Sequence, residues 1–228
     1  MSQLGFPLAN TTTEPIEVAP GAVWLPGWLD QEAQLELVHA FRQWAAPPAG
    51  IRRPTMPNGA PFSTRAVCLG WHWYPYTYSR TCDDGDGAPV KPFPPLLARL
   101  GAAACAATGY EPAAYDAAII NLYEAGAKLG LHQDKIEGAE VLAAGSPVVT
   151  ISLGDRCVFR FGNTEKPTRP WTDVELASGD LFVFGGPSRL AFHGVPKTYP
   201  GSAHPDLGLD GRISVTLREI GKAWQRAG

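Results

Sequence analysis

The sequence carries no surplus of positive charge. Its 19 Lys and Arg stand against 22 Asp and Glu, a formal net charge of −3. A protein that grips many phosphates by charge alone is usually basic, so any hold on a nucleic acid must be local or brief. Cysteine is scarce too. Cys68, Cys82, Cys105 and Cys157 form no CxxC pair, and their spacing suits neither a zinc site nor a disulfide framework. Reduced thiols in a cytoplasmic setting are the expectation. No apolar run approaches the ~20 residues of a membrane span. The start, MSQLGFPLAN, lacks the basic stretch and apolar run of a secretory leader. A membrane partner is not expected. Solenoid repeats and low-complexity tracts are missing as well.

What is present fits one compact domain acting as a monomer. The chain has 228 residues, 45% hydrophobic and 18% charged, enough to bury a core. Residues 1–20 read as an extended arm. Residues 21–115 read as helices and an aromatic lid, and residues 116–222 as a strand-built core. A helix is expected after Asp30 as N-cap, with Leu35, Val38, Phe41 and Ala45 inward and Pro47-Pro48 as its end. A second should run from Pro94 or Pro95 to Thr108, with Leu97, Leu100 and Ala104 inward and Gly109 as its stop. Between them, Trp71, Trp73, Tyr74, Tyr76 and Tyr78 crowd a Pro- and Gly-rich segment. Short strands and hairpins are expected there, forming a lid over a substrate. Further on, strands are expected at 118–123, at 148–153 and 157–161 as a hairpin around Gly154-Asp155, at 181–184, and at 213–217. The pattern is mostly β with flanking helices, a sandwich or barrel.

The chemistry lies in His132-Gln133-Asp134 and His193. In a strand, positions i and i+2 share a face, so His132 and Asp134 would project together. His193, 193 − 134 = 59 positions later, can return to the same cavity. Two imidazoles and one carboxylate make a three-point face that leaves positions open, as non-heme Fe(II) oxygenases require for dioxygen. The last strand alternates. Ile213, Val215 and Leu217 share one face, while Arg212, Ser214, Thr216 and Arg218 share the other. On a lone edge strand that polar face would be solvated. Inside a barrel the arginines would need an anion, and a dicarboxylate such as 2-oxoglutarate fits a guanidinium fork. Asn121 and Tyr123 share a face of the strand at 118–123 and offer neutral hydrogen bonds.

These stretches together resemble the bacterial AlkB dioxygenases. They are Ile120-Asn121-Leu122-Tyr123, Leu131-His132-Gln133-Asp134-Lys135, Val149 to Gly154, Gly185-Gly186-Pro187-Ser188-Arg189, His193-Gly194-Val195 and Arg212 to Arg218. The resemblance covers about residues 60–222 and keeps NxY, HxD, H and RxxxxxR in order. It implies a double-stranded β-helix, or jelly-roll, with an N-terminal nucleotide-recognition lid, binding Fe(II), 2-oxoglutarate and O2. His132, Asp134 and His193 would hold iron. Arg212 would pair with the distal carboxylate of 2-oxoglutarate and Arg218 would lie near its chelating end. Asn121, Tyr123 and Ser214 would stand beside it. The implied reaction is oxidative demethylation of N-alkylated bases such as 1-methyladenine and 3-methylcytosine, in single- or double-stranded DNA or in RNA, for direct-reversal repair. Trp71 would be the platform for a flipped base, facing the His132 ring, with Tyr76, Tyr78 and Glu137 as further substrate contacts.

Three features depart from the family pattern. Ile136 replaces the second acid of HQDKDE, expected at the base's exocyclic amine. Ser214 stands where asparagine is usual, and the interval from Trp71 to Tyr76 is two residues shorter. The rival readings are the same chemistry on a protein or small molecule, and a non-catalytic jelly-roll binding module. The aromatic lid weighs against the first. Two buried arginines without an anion to meet weigh against the second.

Overall fold

The computed structural model describes residues 14–225. Seven antiparallel strands form the larger sheet. They are β1 (Ile16–Ala19), β2 (Ala22–Leu25), β3 (Arg65–Leu69), β6 (Ala117–Tyr123), β8 (Val148–Gly154), β11 (Leu181–Phe184) and β13 (Arg212–Arg218), in the order β1-β2-β11-β8-β13-β6-β3. A smaller sheet runs β10-β9-β12-β7, from β7 (Leu129–His132), β9 (Arg156–Gly162), β10 (Trp171–Leu176) and β12 (His193–Tyr199). β4 (His72–Tyr74) and β5 (Thr77–Ser79) make a separate hairpin in the lid. The two main sheets face each other as a jelly-roll sandwich.

The larger sheet is covered on its outer face by two helices. α1 (Gln31–Ala45) starts where the Asp30 carboxylate accepts the Ala33 N–H at 2.9 Å, a cap worth ~1 kcal/mol. α2 (Pro95–Thr108) starts at the expected proline and stops at Gly109, whose φ of 76° suits glycine. Leu37, Val38 and Phe41 of α1 and Leu97 and Leu100 of α2 pack on Ile120, Ile151, Ile213, Val215 and Leu217. The inner face packs Tyr123, Phe182 and Phe184 against Phe159 and Phe161 of the smaller sheet. Each fully buried aromatic or branched side chain stabilises the sandwich by roughly 1.5–3 kcal/mol. β13 is therefore buried along its whole length. Its alternation separates a helix-covered core from the interior between the sheets, and none of it meets solvent.

Three expectations change. Residues 1–13 lie outside the described residues, but Ile16–Ala19 is an edge strand paired with β2, so the whole of 1–20 is not an extended arm. Leu35 is 39% exposed, while Ala33 and Leu37 are buried; the inward stripe of α1 sits one step round the helix. The segments at 148–153 and 157–161 form no hairpin. β8 pairs with β11 and β13, and β9 with β10 and β12. The Gly154-Asp155 turn instead carries the chain across from one sheet to the other. Gly154 has φ of 84°, and the Asp155 carboxylate fixes the crossing by accepting the N–H groups of Ser202 and Ala203.

Candidate metal and cosubstrate centre

His132 ends β7, His193 begins β12, and the two are direct register partners. Their ring centroids lie 4.4 Å apart. Asp134 follows two residues after β7 ends, with its Oδ1 3.6 Å from His132 Nε2 and its Oδ2 3.7 Å from His193 Nε2. Each histidine donates from Nδ1 to a carbonyl, His132 to Gly130 at 2.9 Å and His193 to Ala191 at 3.0 Å. A carbonyl only accepts, so the proton must sit on Nδ1 and the Nε2 lone pair is left for a metal. Burial, with the nearby His132, pushes His193 down to about 4, so it stays neutral at physiological pH. Burial alone would raise Asp134; Arg218 and the two histidines outweigh it and hold the carboxyl down to about 2. Asp134 Oδ2 is buried without a hydrogen-bond partner. Two imidazoles that each turn Nε2 toward one carboxylate, and that carboxylate's free oxygen, fit Fe(II).

Around the trio lies a layer of buried charge. Arg218 Nη2 is 2.5 Å from Asp134 Oδ1, and its Nη1 is 3.3 Å from Glu137 Oε1. Arg189 donates to the Asp134 carbonyl at 2.6 Å and lies 3.2 Å from Glu137 Oε2. Tyr78 donates its hydroxyl to Glu137 at 2.8 Å, and burial pushes that phenol well up. Sequence reading assigned Arg189 no role. Its signal was present in Gly185-Gly186-Pro187-Ser188-Arg189, where a turn returns a cation to the interior.

Arg212 stands apart from this network. It is 1% exposed, and its Nη2 donates to Ser152 Oγ at 2.9 Å. Its guanidinium carbon lies 4.9 Å from the Tyr123 ring centre. Among the described residues, Nε and Nη1 have no hydrogen-bond partner. A buried cation with two idle donors fits a carboxylate, which accepts such a fork. Burial pushes the Tyr123 phenol up to about 12, so it remains a neutral donor. Ser214 is buried between register partners Asn121 on β6 and Ser152 on β8. Asn121, Tyr123, Arg212, Ser214 and Arg218 thus share one face of adjoining strands.

A cavity of about 310 Å³ opens beside His132 and Asp134. Asn121, His132, Asp134 and Arg218 line its floor, and Phe62, Trp73 and Tyr76 line its lid side. Tyr76 is 67% exposed, with φ of 73°. Three expected substrate contacts are not at this wall. Trp71 is 2% exposed, its indole N–H donates to Asp116 at 3.1 Å, and the Arg80 guanidinium covers its ring at 3.4 Å. Gly70 turns it away: φ there is 78°, and a Cβ would lie 1.9 Å from the Asp116 carbonyl oxygen. Trp73, two positions on, takes the cavity face. Tyr78 and Glu137 are spent on the arginine layer behind the wall, where hydrogen bonding keeps them from a base.

This sandwich and donor set define a 2-oxoglutarate- and iron-dependent oxygenase. The model of the 2OG-Fe(II) oxygenase superfamily matches residues 21–218. Within it, the chain belongs to the AlkB family. It is 38% identical over 218 residues to an alpha-ketoglutarate-dependent dioxygenase AlkB homolog of Caulobacter vibrioides, covering 90% of each chain. It is 32% identical over 237 residues to the DNA N(6)-methyladenine demethylase ALKBH1D of Arabidopsis thaliana, covering 92% of this chain and 53% of that one; the chain spans about half the length of that relative. The solved structure of OsALKBH1 superposes with a TM-score of 0.82 at 32% identity, over 90% of this chain and all of the other.

Proposed function

We propose that this protein oxidatively removes N-methyl groups from bases of DNA, with RNA as the alternative polymer, using Fe(II), 2-oxoglutarate and O2. One observation carries the reading: the two idle donors of buried Arg212 lie on the same strand face as the arginine that holds the iron-ligand carboxylate. A non-catalytic module has no use for such a cation, because burying it unpaired is costly. The name of the Arabidopsis relative, a DNA N(6)-methyladenine demethylase, supports a nucleic-acid substrate.

His132, Asp134 and His193 would hold iron, and Arg212 with Ser152 and Tyr123 would bind the distal carboxylate of 2-oxoglutarate. Bound iron and cosubstrate supply the oxidation of the methyl carbon with O2, which leaves as formaldehyde while succinate and CO2 form. The protein's own part is arrangement. Arg218 fixes Oδ1 of Asp134 on the His132 side and leaves Oδ2 3.7 Å from His193 Nε2. The backbone carbonyls of Gly130 and Ala191 fix both imidazole tautomers. The apolar wall excludes water from the reacting carbon, and Trp73 and Tyr76 offer faces for an extruded base.

The test is purified protein loaded anaerobically with Fe(II) and 2-oxoglutarate, then given O2 and a panel of methylated oligonucleotides, followed by mass spectrometry. Iron-dependent loss of one methylene mass from any of them is the expected result. Succinate without demethylation would move the substrate elsewhere, and no succinate from iron-loaded protein would overturn the enzyme reading.

A further inference from the structure

The lesions expected from sequence, 1-methyladenine and 3-methylcytosine, both carry a positive charge at neutral pH. The cavity offers that charge no partner. Among the described residues, Asp134 is the one carboxylate lining it. Its Oδ1 is held by Arg218 at 2.5 Å, and its Oδ2 is turned toward His193. The next acid, Glu137, is fully buried behind the wall between Arg189 and Arg218. Between them, Ile136 lines the cavity with an aliphatic chain. The side chain preceding it is Lys135, which also lines the cavity, is exposed, and is a cation.

The faces of Phe62, Trp73 and Tyr76 stack neutral rings and add a modest cation–π attraction for a cationic one. Discrimination against the cation falls to the groups at the edge of the base, which must outweigh that attraction. There a cationic base would leave water with no free carboxylate to offset its charge, and a charge buried without a partner is disfavoured.

We propose that, on the reading of this cavity as a methylated-base site, the protein selects electrically neutral N-methylated bases and discriminates against cationic ones. Ile136 sets that choice by withholding an acid.

3-Methylthymine and 3-methylcytosine make a matched pair. Both are pyrimidines methylated at N3 that differ in the C4 substituent and in thymine's 5-methyl group, and only the second is charged. Binding of single-stranded oligonucleotides carrying either base, or neither, would be measured by fluorescence anisotropy under nitrogen, on protein loaded with Fe(II) and 2-oxoglutarate. Single-turnover demethylation follows after O2 is admitted. At pH 7 the 3-methylthymine strand should bind and react at least ~tenfold better than the 3-methylcytosine strand. Raising the pH until 3-methylcytosine loses its charge should close the gap. Ile136→Asp should reverse the ranking. Equal or better use of 3-methylcytosine by the unaltered protein overturns the inference while leaving the demethylase reading intact, as does a gap that Ile136→Asp leaves unchanged. Methylated strands that bind and react no differently from the unmodified one would overturn the base-site reading itself, and this inference with it.

Discussion

Arg218 and Asp134 are joined at 2.5 Å with both side chains buried, while Arg212, six positions earlier on the same strand face, has two donors joined to nothing. The two arginines should therefore answer substitution in opposite ways. Arg218→Met leaves Asp134 and Glu137 as buried charges short of a partner, a loss of about 3 kcal/mol and a Tm lower by roughly 10 °C. Arg212→Met removes a cation that no acid offsets, so Tm should hold or rise, while the 2-oxoglutarate requirement rises at least ~tenfold. Calorimetry and cosubstrate titration on both variants check this. A large Tm loss in Arg212→Met would show that the cation is structurally paired.

Acid should weaken the metal-free protein through His193. The folded protein refuses a proton on this residue until about pH 4, whereas an unfolded imidazole takes one near 6.5. The unfolded state thus binds more protons between those values, and stability falls as pH drops through that window. Asp134 acts at lower pH with the same sign. Its contribution is present above an ordinary carboxyl value of 3.8 and lost as pH falls toward about 2. Urea midpoints on chelator-treated protein should decline from pH 7 to pH 5. His193→Ala should flatten that decline, and an unchanged slope in the variant would assign it to other groups.

Trp71 and Trp73 should separate stability from substrate use. Trp71→Ala removes a buried ring from under Arg80 and leaves Asp116 Oδ2 without its indole donor, a cost of about 3–5 kcal/mol. Trp73→Ala should leave Tm nearly in place and raise KM for a methylated oligonucleotide, sparing 2-oxoglutarate turnover without substrate. The conservative Trp71→Phe should keep KM. A raised KM in folded Trp71→Phe would restore Trp71 as a base contact.

The lid rests on a charge cluster outside the centre. Asp84 Oδ1 is 2.6 Å from both Arg52 Nε and His72 Nε2, and Arg52 also donates to the Trp73 carbonyl. Burial would lower His72, but its bond to Asp84 raises it overall; burial would raise Asp84, but His72 and Arg52 lower it overall. The pair's support is therefore full between the ordinary carboxyl and imidazole values, and is lost to acid below that range and to base above it. Asp84→Asn should speed amide exchange across residues 72–79 roughly tenfold at pH 6 and raise KM for methylated strands. Unchanged exchange would leave the lid supported by packing alone.

The chain by itself determined much of this protein. The order NxY, HxD, H and RxxxxxR fixed the chemistry, because metal and carboxylate binding demand particular side chains at particular spacings, and those spacings are local. The bounds of α2 were legible for the same reason, since proline and glycine act on their own backbone. Tertiary structure decided what lies across the molecule. Whether β8 and β9 pair depends on partners such as β13, about sixty residues away, which no local pattern reports. Which tryptophan faces the cavity turned on a single positive φ at Gly70, which reverses the alternation that an unbroken strand would keep. Glu137 looked free in sequence and is not, because Arg189 and Arg218 reach it from two other elements. Composition could set the net charge at −3; only the packing decided that, among the described residues, no spare negative charge faces the cavity.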